Sequence, residues 1–214
     1  PCAARAWPRA TPRLSPRTPR VQYGPMLPVL AGLFLLSGTA ALVYQVAWLR
    51  MLSLVFGVTI HAASAVLASF MGGLALGSWM GGRVADRVRS PLKAFALLEL
   101  LIALSALSVP FALDAVSALY TRIHTGAPDA VGVLTIARFL SSSVILLVPT
   151  TLMGASLPLL ARYVTGTPGS TAARIGWLYA ANTGGGIVGA VLAGFVLIGA
   201  VGVTATTRMA AGVN

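Results

Sequence analysis

The sequence predicts an all-α polytopic membrane protein, and three observations predict it. Of its 214 residues, 57% are hydrophobic and only 9% are charged, with a mean hydropathy of +0.88. Soluble proteins carry about 25% charged residues, so this chain could not cover the surface of a water-soluble fold. The apolar residues are also gathered into runs long enough to cross a bilayer, which takes about 20 residues at 1.5 Å each. The charges stand between those runs.

Taken in order, the runs predict about five transmembrane helices. The first, about 27–49, reads "LPVLAGLFLLSGTAALVYQVAWL" and has no charge inside it. The second, about 58–82, contains His61 and many glycines, and the third, about 92–113, holds one acid, Glu99. The fourth, about 137–160, is interrupted by Pro149 and Pro158, and the fifth, about 175–201, is again free of charge. The closing "VTATTRMAAGVN" reads as the start of a sixth helix from about 203, so the chain reads as a C-terminally truncated fragment. Residues 1–26 are a different material, with Pro and Arg at short intervals and no apolar period; they read as a disordered leader. No apolar segment with a small-residue cleavage site marks them as a signal peptide. A native start at Met26 is the alternative. The remaining 27–214 form one transmembrane helical domain.

The net charge of +11 comes from 15 Lys and Arg against 4 Asp and Glu. A nucleic-acid surface would interleave a basic stripe with exposed aromatics, and no such stripe exists, so nucleic acid is excluded as a partner. The placement matches topology signals instead. Arg83, Arg87, Arg89, Lys93, Arg162 and Arg174 follow even-numbered spans, whereas Arg50, Arg122, Arg138 and Arg208 lie on the opposite side. Adding Arg5, Arg9, Arg13, Arg17 and Arg20 strengthens the imbalance, and the N-terminus is expected to be cytoplasmic. The single cysteine, Cys2, allows neither an internal disulfide nor a cysteine metal cluster. His61 has no second ligand at i+4, so no metal or cofactor site is expected.

The sharpest local motif is "GGRVADRVRSPLK" between the second and third spans, where Gly82, Asp86 and Arg87 stand at the spacing G-x-x-x-D-R. The glycine is expected to let a neighbouring helix approach, and the aspartate either to pair with an arginine or to accept from a helix N-terminus, as a latch. This resembles the loop between the second and third helices of major facilitator transporters. The match departs at Arg89, where that motif has glycine, and its trailing basic pair is reduced to Lys93. An ordinary positive-inside loop is the plainer reading.

Inside the membrane, Glu99 lies about two turns into the third span. An ionisable group at a helix centre costs roughly 2.5–3.5 kcal/mol on insertion scales and usually faces a bundle interior or wet cavity. Glu99 therefore marks a candidate polar site, with Gln45 or Arg138 as expected partners. It reads equally as a structural carboxyl satisfied by a neighbouring helix. Tyr44 and Trp48, near the end of the first span, are expected to be interfacial anchors. Gly73, Gly77 and Gly81 form a ridge on one face of the second span, and Gly185 with Gly189 does the same in the fifth; both are expected to pack helices closely. Gly184, Gly186 and Gly189 also spell G-x-G-x-x-G, but a dinucleotide site needs a preceding strand and an acid about 20 residues later. Neither is present. Pro149 and Pro158 free carbonyls that neighbours, Ser/Thr side chains or water must satisfy. Such a break accompanies transport sites in some proteins, and a packing kink explains it as well.

Five ordered segments carry a wider resemblance: "LFLLSGTAALVYQVAWLRMLSLVFG", "ASFMGGLALGSWMGGRVADRV", "FALLELLIALSAL", "PTTLMGASLPLLARYV" and "GWLYAANTGGGIVGAVLAGFVLIGAVG". Together they resemble the membrane region of the bacterial fused major facilitator/spermidine synthase proteins over about 27–214. The resemblance implies a bundle built like the N-terminal half of a major facilitator transporter, in the bacterial inner membrane. It implies a following soluble aminopropyltransferase-like domain, and a polyamine or similar small solute as ligand. The acids here are Asp86, Glu99, Asp114 and Asp129, none of them in such a soluble domain, so no catalytic residue carries over. A half-transporter without an enzyme partner and a purely structural anchor are the other readings.

Overall fold

A computed structural model describes residues 26–56, 60–126, 131–165 and 171–214. Apolar, charge-poor sequence gives helix throughout, because a buried or lipid-facing backbone must satisfy its own hydrogen bonds. The helices are α1 (Leu27–Phe56), α2 (Ile60–Ala85), α3 (Pro91–Gly126), α4 (Val131–Thr165), α5 (Thr171–Leu192) and α6 (Ile198–Val213), with a π-helical turn, Ala193–Leu197, between the last two. The Arg/Pro-rich leader lies outside the described residues.

Among the described residues, four runs are long and apolar enough to cross a membrane: Leu27–Leu54, Pro91–Ile123, Phe139–Thr165 and Thr171–Val213. This fits a multi-pass membrane protein, and the count differs from the expected five spans and beginning sixth. The expected second span is helical over Ile60–Ala85 and is the one expected span outside these four runs. The fifth span and the sixth helix fall within one run, which is not straight. Gly202 has φ +81°, a conformation that favours glycine. Leu192 and Leu197 share a cavity of about 210 Å³ with Met209 and Val213. In a straight helix Leu192 and Val213 would stand roughly 30 Å apart, so the chain reverses at Gly202. The Thr206 hydroxyl donates to the Gly202 carbonyl, four residues back, at 2.7 Å in the first turn after the reversal.

The helices pack in two close pairs. In α2, Gly73, Gly77 and Gly81 face Thr150, Thr151 and Ala155 of α4, and a Cβ at any of the three would collide with them. Reciprocally, Gly154 of α4 meets the backbone of Leu74. In the second pair, Gly185 and Gly189 of α5 meet the carbonyls of Leu35 and Thr39 of α1, and Gly38 meets Asn182. Small residues permit this approach where lipid provides no hydrophobic drive between helices. Gly184 lies inside α5, within the span that also spells the dinucleotide-like pattern.

Pro149 and Pro158 lie within α4 without ending it. Pro158 removes the N–H that would bond the Gly154 carbonyl four residues earlier. Ser78 of α2 supplies the missing donor, its hydroxyl reaching Gly154 O at 3.0 Å. Two buried clusters fill the interior among the described residues. The larger gathers Tyr44, Trp48 and Leu52 of α1 with Val66, Phe70, Ile102, Val109 and Leu146. The smaller gathers Leu30 and Phe34 with Phe95, Leu160 and Leu178. Outward-facing Phe111, Ile187 and Phe195 are exposed, as lipid-facing side chains would be.

Candidate functional site

The site is built where α1 and α3 run side by side in the same direction. Pro91 opens α3, a position that tolerates its missing donor. Phe95 and Glu99, four residues apart, then point from one face of the helix. Phe34 of α1 meets Phe95 edge-on, ring centroids 6.1 Å apart at 75°. One turn further, the Ser37 hydroxyl lies 3.0 Å from both carboxyl oxygens of Glu99. Both residues are buried, Glu99 at 7% exposure. The Asn214 side-chain amide donates to the Glu99 backbone carbonyl at 2.7 Å, bringing α6 to the same level.

Beside this carboxyl lies a cavity of about 500 Å³ between α1, α3 and α6. Its walls are Leu33, Leu36, Leu92, Phe95, Ala96, Leu100, Ala103, Ala211 and Val213, with Glu99 and Asn214 as polar lining. The other described acids, Asp86 and Asp114, are exposed. The arrangement can hold one positive charge or one proton against an otherwise apolar wall.

Glu99 thus meets a serine, while Gln45 stands elsewhere. It lies two turns beyond Ser37 along α1, about 12 Å by helical rise, and is half-buried. The Arg138 side chain lies outside the described residues. Its place on the α4 backbone is over 20 residues before Leu160, which packs at the level of Phe95, a separation of roughly 30 Å. The backbone therefore brings neither expected partner to Glu99. The His61 side chain also lies outside the described residues.

Tyr44 and Trp48 correct the expectation of interfacial anchors. Both are fully buried, stacked with centroids 5.5 Å apart and planes at 12°. The reason is helix length. The first helix continues to Phe56, so these rings sit two or more turns inside its end. Neither the Tyr44 hydroxyl nor the Trp48 indole N–H has a hydrogen-bond partner among the described residues.

At the end of α2, Gly82 faces open space, and it is Gly81 that admits α4 through Ala155. The expected close approach therefore belongs to the preceding residue. Asp86 and Arg87 form the turn that leaves the helix, with the Arg87 N–H donating to Val84 O at 2.9 Å. Asp86 pairs with Arg162 at the end of α4, 3.8 Å apart and largely exposed. Nearby, the Arg83 guanidinium lies over the Trp79 ring, 3.9 Å from its centroid. Arg174 is buried at the start of α5 and donates to Val164 O at 3.4 Å.

Ser37 and Ser78 make cross-helix hydrogen bonds that sequence reasoning passed over. The available signal was a hydroxyl inside an apolar run, but each run holds others, such as Thr39 beside Ser37 and Ser69 before Ser78, and none identifies a partner on another helix. No protein-family model, curated protein or solved structure matches this chain.

Proposed function

We propose that this chain is the membrane domain of a spermidine synthase-like fusion protein, binding a small organic cation at Glu99. The resemblance of its five segments to that family supplies the aminopropyltransferase-like partner domain and, as the class of solute, a polyamine or a similar small amine. The observation that carries cation handling is the buried Glu99–Ser37 pair beside a cavity of about 500 Å³. A carboxyl is expensive inside an apolar bundle, and such residues mark solute or ion pathways.

In this reading the bundle corresponds to the N-terminal half of a major facilitator. It crosses the bacterial inner membrane five times before reversing at Gly202, with α2 as the second crossing and the N-terminus cytoplasmic. The contacts of Asp86 with Arg162 and of Arg174 with Val164 support one basic, cytoplasmic end. Single cysteines placed at 89 and 122 test the orientation: a membrane-impermeant thiol reagent added to intact cells should label only position 122.

The cation assignment is tested by titrating amines into the protein in lipid nanodiscs. Glu99→Gln should weaken binding about tenfold or more, corresponding to at least about 1.4 kcal/mol. Unchanged amine binding in that variant would overturn the cation reading and leave a structural anchor.

A further inference from the structure

The Glu99 cavity combines one acid with a large apolar wall, and that ratio selects among cations. A volume of about 500 Å³ falls within the range of small-molecule pockets, roughly 300–1,000 Å³, and far exceeds a bare ammonium. A guest can set one positive charge against the Glu99 carboxyl. Apart from the neutral Asn214 amide, which carries no charge to pair a second ammonium, everything else it carries must lie against residues such as Leu36, Phe95, Leu100 and Ala103. A polyamine would place its second and third ammonium groups on that wall, where an unpaired, desolvated ion is strongly disfavoured. Neither Asp86 nor Asp114 lines the cavity to receive them.

Access points the same way. Leu33, Leu36 and Leu100 line the cavity and are also exposed, Leu100 at 56%. The mouth is therefore bordered by the apolar outer surface of the bundle. A solute that partitions into a bilayer can reach such a mouth, whereas a multiply charged one cannot.

We infer that the Glu99 cavity takes an amphiphilic monocation, a single ammonium on an apolar body, in preference to a polyamine; the inference rests on the cation-handling reading above. The ammonium donates to the carboxyl lone pairs that the Ser37 hydroxyl leaves open, since a carboxylate offers about four acceptor sites. The apolar body packs on Phe95 and Leu100.

The test titrates octylammonium and spermidine into the nanodisc-reconstituted protein and into Glu99→Gln, which also corrects for partitioning into lipid. The expected result is saturable octylammonium binding at least about tenfold tighter than spermidine, lost in Glu99→Gln. Leu100→Trp, at an exposed position on the cavity rim, keeps the carboxyl while narrowing the cavity. It should weaken octylammonium binding even where Glu99→Gln does not fold. Spermidine binding tighter than octylammonium, with dependence on Glu99, would overturn the monocation inference and leave the cation reading standing. No binding of either amine, or binding indifferent to both variants, would overturn both.

Discussion

Helix α1 passes through two regions of opposite character. In its first half, Ser37 meets a buried carboxyl beside a cavity. In its second half, Tyr44 and Trp48 stack in a filled interior, and their polar tips have no partner among the described residues. One helix thus contributes a hydroxyl where a charge-bearing group must be satisfied and large rings where volume must be filled. The difference teaches that burial of a polar atom does not by itself mark a site. What distinguishes Ser37 is the partner and the neighbouring space.

Substitutions can break this contrast or sharpen it. The largest effect is expected from Trp48→Ala, which empties a closely packed position and should destabilise by about 3–5 kcal/mol, read as a lowered thermal midpoint in nanodiscs. Next, Ser37→Ala removes the hydroxyl that satisfies the Glu99 carboxyl. A loss of about 1–3 kcal/mol is expected, together with altered amine binding, which Trp48→Ala should affect only through unfolding. Ser78→Ala, away from both regions, leaves the Gly154 carbonyl without its donor and should lower stability by about 1 kcal/mol. Tyr44→Phe removes a hydroxyl with no hydrogen-bond partner among the described residues, so its stability should stay within about 0.5 kcal/mol of the parent or rise slightly. A clear destabilisation by Tyr44→Phe would show that the aromatic region is polar in function after all. Asp86→Asn, at an exposed ion pair, should change stability least, by under about 0.3 kcal/mol and less at high salt.

Helical character was legible because apolar runs of membrane length have few other stable outcomes. Gly73, Gly77, Gly81, Gly185 and Gly189 were legible as candidate packing faces because their spacing puts them on single helix faces. The partner of Glu99 was not legible. Gln45 and Arg138 offered the more conspicuous chemistry, but contact across helices depends on their register, and Ser37 is the residue at the right height. The depth of Tyr44 and Trp48 depended on a helix end that apolar content placed too early. Nor could spacing distinguish Gly81 from Gly82, since one step along a helix turns the side chain by about 100°. The reversal at Gly202 was anticipated only as a new helix beginning nearby; its positive φ is a backbone property that many glycines could supply.

The Ser78 hydroxyl at the Gly154 carbonyl has a consequence for the order in which this sequence can change. Pro158 creates the need that Ser78 meets. Replacing Pro158 by alanine first would return a donor to α4 and make Ser78 dispensable, whereas losing Ser78 first leaves a carbonyl stranded. The two positions, on different helices and 80 residues apart in the chain, therefore form an epistatic pair with a preferred direction of travel.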